Sequence, residues 1–175
     1  MAEDACLCEG EYTCELCEGL DEEYIRDLYA AGCDDYDYDW LRRERLYEWE
    51  HATFELVRTS NDMSLDECQR LVNERFRRYR GSDDAPLVGP AQRTNRACLD
   101  DVPRPGTTLS RIWLPKWARN KVMVLHETAH AIAHGDGHGP LFARVYIELL
   151  AAEGFGEIDD LVASAGAAGV KVGER

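Results

Sequence analysis

The chain has 175 residues, 45% of them hydrophobic and 31% charged, with a formal net charge of −14. That composition fits one soluble domain with an appendage, long enough to bury ~70% of its unfolded surface. No apolar run approaches the ~18 residues of a membrane span, and the acidic balance argues against long-range attraction to nucleic acid.

The amino terminus, Met-Ala-Glu-Asp-Ala-Cys, lacks the basic and apolar regions of a signal peptide, so the expected location is the cytoplasm. Residues 1–19 form a Cys-rich segment holding four of the seven cysteines: Cys6-x-Cys8 and Cys14-x-x-Cys17. Two closely spaced thiolate pairs suit a closed structural zinc site, and a cytosolic setting favours metal over disulfides. An acidic tail without a metal, or a redox role, are the alternatives. A tail cysteine reaching the open position of a catalytic metal would hold such a site inactive.

Residues 20–80 read as an acidic helical region. Leu20, Tyr24, Ile25, Leu28 and Tyr29 have helical spacing, ending at Gly32. The acids Asp34 to Asp39 resemble a calcium loop only superficially, since Trp40 stands where its glycine belongs; they are expected to link and cap. From Trp40 to Arg58 a long helix turns Leu46, Trp49, Phe54 and Val57 inward. Ser64 and Glu67 form a capping box, opening a helix whose apolar stripe is Leu65, Cys68, Leu71, Val72, Phe76 and Tyr79. The arginines 70, 75, 77, 78, 80, 93 and 96 are expected to form a solvated face paired with the acidic half, with a local phosphate-binding patch as the other possibility.

Residues 81–155 carry the chemistry. The stretch 81–90 reads as a loop by its Gly, Pro and Asp content. Two strands follow, around Arg96–Asp100 and Leu109–Leu114, as a hairpin or part of a small three-stranded sheet. The mixed alternation along Leu109–Leu114 leaves its buried face open. Next comes His126-Glu127-x-x-His130, flanked by Val122, Val124, Leu125, Ala129, Ile132 and Ala133 as in a half-buried helix. One helical turn puts both imidazoles on one face, within reach of a single ion, with Glu127 beside them as the general base for a zinc-bound water. Catalytic zinc needs a third protein ligand. His134 would sit ~6 Å farther along the helix axis than His130, and Gly135-Asp136-Gly137 is a stop signal. The chain can then reverse and deliver His138 before a helix opened by Pro140. His138 is the expected third ligand, with Glu148 and then Asp136 as alternatives. Leu141, Phe142, Val145, Tyr146, Leu149 and Leu150 make that helix amphipathic, with Phe142 beneath the metal. Residues 156–175 add a short helix, placed at 154–163, and a loose or lightly docked tail.

His126-Glu127-x-x-His130 followed by His138-Gly139-Pro140-Leu141-Phe142 resembles the SprT-like (Spartan-type) zinc metallopeptidases. The segment from Arg111 to His126 is also similar to small metallohydrolases of actinobacteria and their phages, and the likeness covers residues 90–153. Ala133 and Asp136 stand where a metzincin would have Gly and His. The resemblance implies an α+β, mostly helical fold with a zincin-like core and a His138 ligand. It also implies a zinc cofactor, a protein or peptide substrate, and a strand edge bordering the cleft that pairs with an extended peptide. A phage-encoded chain would reside in host cytoplasm or virion. His134 and Tyr146 are candidate oxyanion stabilisers on position alone. Two other functions fit the same residues: a zinc-binding interaction protein using the acidic helical half as its surface, and a DNA-linked protease, which would need the arginines to form one exposed face.

Overall fold

The computed structural model describes residues 39–58, 63–91, 96–100 and 110–174. Cys6, Cys8, Cys14 and Cys17, the 20–33 helix and the acidic linker before Asp39 lie outside these residues. Five α-helices and one three-stranded sheet make up the described fold, an α+β architecture that is mostly helical.

Helix α1 (Asp39–Arg58) bends at Phe54, where φ −124° and ψ 19° interrupt the helical geometry. Leu46, Trp49 and Phe54 are buried and Val57 is half-buried. Helix α2 (Leu65–Arg80) begins at the expected capping box: Ser64 accepts from the Glu67 amide at 3.2 Å and its own amide donates to Glu67 Oε2 at 2.8 Å. Cys68, Leu71 and Val72 face the core, but Tyr79 is exposed and Arg75 is buried instead.

Strands β1 (Leu87–Pro90), β2 (Cys98–Asp100) and β3 (Arg111–Leu114) form a sheet of order β1-β3-β2. The β2–β3 pairing is the expected antiparallel one, with Leu99 opposite Ile112. β1 corrects the reading of 81–90 as loop. It pairs in parallel with β3, Val88 opposite Ile112, and on its other side Gln69 of α2 accepts from the Val88 amide (2.6 Å) and donates to the Pro86 carbonyl (2.9 Å). A side-chain amide thus completes hydrogen bonds that a short Gly-Pro strand lacks. It also corrects the idea of a free edge on the second strand of the hairpin: β3 is central, with partners on both sides. Ile112 and Leu114 are its buried face.

A 3-10 turn (Lys116–Ala118) leads into α3 (Lys121–Ile132), capped by Asn120, whose Oδ1 accepts from the Met123 amide at 3.0 Å. Helix α3 is central, packed by α1, α2, α4 (Pro140–Ala152) and β2. α5 (Ile158–Ala167) packs on α4 and α1, where Trp49 Nε1 donates to Ser164 Oγ at 3.0 Å. It begins and ends four residues later than the expected 154–163, because Gly154 and Gly156, at φ +81° and +156°, hold the chain out of helical geometry before it. The tail is docked: Val170 is buried, the Gly169 carbonyl accepts from Arg45 (3.3 Å), and the Gly173 amide donates to the Pro140 carbonyl (2.8 Å). Residues from all five helices and β3 share one hydrophobic cluster. Among the described residues, no helix is long and apolar enough to cross a membrane.

Arg70, Arg77, Arg78 and Arg80 are exposed on α2, and Arg75, Arg77 and Arg80 have partners among the described residues. Arg75 pairs with Glu153, which Lys121 also reaches at 2.6 Å; Arg77 pairs with Asp83; Arg80 donates to the Ile132 carbonyl at 2.8 Å. Most of the acidic half, residues 1–38, lies outside the described residues.

Candidate metal centre

Helix α3 positions the first two histidines. Spacing of i, i+4 stacks His126 and His130 on one face, their ring centroids 5.0 Å apart. The helix stops at Ile132, and the chain turns through Gly135 at φ +84° and Gly137 at φ +56°, conformations that L side chains rarely adopt. Asp136 holds the turn to the next helix. Its Oδ2 accepts from the Phe142 amide at 2.9 Å and its carbonyl accepts from the Gly139 amide at 2.8 Å. A Cβ at Gly139 would lie 2.6 Å from this carboxylate, so glycine there lets the turn close. Pro140 sits in the first turn of α4, as expected.

This turn carries His138 back to the α3 histidines, 4.7 Å from His130 and 5.4 Å from His126 between centroids. The ligand nitrogens of His126, His130 and His138 all lie within 4.8 Å of one another. Small ring rotations would bring them onto one ion with metal–nitrogen bonds of ~2.0–2.1 Å. Three imidazoles suit zinc and several other divalent metals. Phe142, fully buried, lies 4.3–5.1 Å from all three rings and floors the site with apolar surface. Burial, reinforced by the neighbouring histidines, pushes His130 down to about 2, so its ring stays neutral. Neutral imidazole is the form that binds a metal.

The other ligand candidates are employed elsewhere. His134 lies beyond the helix end, exposed and outside the triad. Glu148 accepts from Arg144 at 2.8 Å, and Asp136 serves the turn.

Two groups of the centre come from α1, and their functional roles had not been inferred from the sequence. Glu50, fully buried, places Oε2 2.9 Å from His126 Nδ1 and 3.0 Å from the Tyr146 hydroxyl. With Glu50 ionised it can only accept, and then Nδ1–H and the phenol both donate to it, an arrangement that leaves His126 Nε2 for a metal. An acid four residues from both Leu46 and Phe54, on the apolar stripe, is the signal that could have revealed Glu50. Tyr47 packs its ring 5.6 Å from His126 and 5.5 Å from His138. Nothing in the sequence distinguishes Tyr47 from the chain's other tyrosines.

Glu127 is buried on α3, where the Leu99 backbone amide donates to its carboxylate. Burial, aided by the charge of Glu50 and opposed by His126, pushes Glu127 up to about 7. A carboxyl poised there can both take and return a proton near neutrality. Tyr146 is fully buried with its hydroxyl on Glu50, a position beneath His126. No family model, curated protein or solved structure matches the chain.

Proposed function

We propose that the protein is a zinc-dependent metallopeptidase built on a zincin-like core, in keeping with its resemblance to the SprT-like enzymes. The observation that carries this reading is the convergence of His126, His130 and His138 beside Glu127, with the first imidazole held by Glu50. Bound zinc would polarise the scissile carbonyl and acidify water there. Glu127 takes the proton of the attacking water and returns it to the departing nitrogen, so that a peptide bond and one water become a carboxylate and an amine. Phe142 keeps the floor of the site dry, strengthening these interactions.

The test is zinc per chain by elemental analysis, together with cleavage of an unfolded protein, for wild type, His130→Ala and Glu127→Gln. The reading expects zinc in wild type and Glu127→Gln, loss of that ion in His130→Ala, and turnover in wild type only. Zinc content indifferent to His130 would sink it.

A zinc-binding interaction protein of the same fold is the second reading, favoured by one observation: Glu127 is only 4% exposed and already engaged by Leu99. Zinc held by His130 without turnover on any unfolded protein would support it, with the acidic helical half as the binding surface. The DNA-linked reading gains nothing from Arg75, which is buried against Glu153.

A further inference from the structure

Two of the three histidines sit on α3, and the rest of the metal centre is brought in from elsewhere. Glu50 of α1 holds His126, and the turn that opens α4 delivers His138 and the Phe142 floor. One short segment touches both places. After α5 the chain turns at Gly169 (φ +78°), whose carbonyl accepts from Arg45 of α1 at 3.3 Å. Val170 is then buried in the core, and Val172 packs against it. The Gly173 amide next donates to the Pro140 carbonyl at 2.8 Å. Pro140 stands two residues after His138 and two before Phe142. The fit is close, since a Cβ on Gly173 would lie 3.0 Å from that carbonyl oxygen.

The bonds that Asp136 makes to the Gly139 and Phe142 amides close the His138 turn on itself. The Gly173 bond reaches the same turn from outside, from a segment anchored on α1 and α5. A three-histidine site needs all its ligand nitrogens in place together. A ligand that is in position only part of the time lowers the apparent affinity by that fraction.

We propose that residues 169–173 are a strap that positions His138 for the metal, with Gly173 as the positioning residue, so that docking of this segment and metal binding favour each other. Whatever lifts the segment off Pro140 then loosens the metal as well. This rests on the zinc-binding part of the metallopeptidase reading and is independent of turnover.

The experiment uses the full chain, freed of metal, as wild type and as Gly173→Pro, which removes the amide hydrogen. Zinc Kd is read by chelator competition, and denaturation of the metal-free proteins reports their stability. The expected result is a Kd about tenfold weaker in Gly173→Pro. Coupling between two binding events is reciprocal, so zinc should slow hydrogen exchange at the wild-type Gly173 amide by a comparable factor. That exchange measurement needs no variant, and it decides the matter if Gly173→Pro fails to fold. In His130→Ala the Gly173 amide should no longer respond to zinc. Equal zinc affinity in wild type and Gly173→Pro would overturn the strap, even with a lower stability, because the contact would then be merely structural. Wild-type Gly173 exchange indifferent to zinc, or a response that persists in His130→Ala, would also overturn it. A wild type that takes up no zinc at the histidines would remove the metal centre, and the inference with it.

Discussion

Glu50 Oε2 stands 2.9 Å from His126 Nδ1, across 76 residues of sequence, with both side chains almost wholly buried. The contact joins the acidic helical segment to the histidine motif. It fixes which nitrogen of His126 faces the other two imidazoles, and Tyr146 steadies the same carboxylate oxygen from below. A carboxylate behind a ligand histidine orients the ring and raises its basicity.

Replacing Glu50 should therefore act first on metal affinity. Glu50→Gln should weaken zinc binding ~10–100-fold in a chelator competition. Glu50→Ala should in addition lower folding stability by about 1–3 kcal/mol, because His126 Nδ1 and the Tyr146 hydroxyl lose a buried acceptor. Unaltered affinity in both variants would show that His126 needs no such support.

The ligand set makes a contrast among neighbouring residues. His138→Ala should abolish metal binding at this centre, while His134→Ala and Glu148→Ala should leave it intact, since the first is exposed beyond α3 and the second pairs with Arg144. Isothermal titration of zinc into each protein, freed of metal beforehand, reads the difference directly.

The buried pair between Arg75 and Glu153 predicts an acid-sensitive fold. Despite burial, the Arg75 and Lys121 contacts hold the Glu153 carboxyl below its ordinary value of 4.5. A carboxyl depressed in the folded state contributes stability above its unfolded value, and the contribution is lost as pH falls through the folded one. Glu153→Ala should flatten that part of the stability–pH curve below pH 4.5. At neutral pH it should cost on the order of 3 kcal/mol, because Arg75 is left buried without this partner. Chemical denaturation at a series of pH values would check both effects.

The thiol of Cys68 is fully buried, and burial pushes it up to about 11, so it behaves as the small core residue expected from the α2 stripe. Cys98 on β2 is exposed. Brief alkylation of the native protein at pH 8, followed by peptide mapping, should label Cys98 and spare Cys68 until the chain is unfolded. Modification of Cys68 at the rate of Cys98 would mean that α2 opens readily.

What lay within a few residues of itself was legible in the sequence. The Ser64–Glu67 box started α2, Pro140 started α4, and the glycines at 135 and 137 let the chain turn so that His138 could return to His126 and His130. Caps, turns and helical periodicity are local, so neighbouring residues specify them. The tertiary structure alone decided the rest. Leu87–Pro90 became a strand because β3 and Gln69 supply its hydrogen bonds, and the same pairing put β3 in the middle of the sheet. Ile112 and Leu114 became its inner face when the helices packed against it. Tyr146 went to Glu50, and Tyr47 came to the histidines, only because α1 docks on α3. Such choices depend on which buried group meets which across long stretches of chain, and no local pattern encodes that meeting.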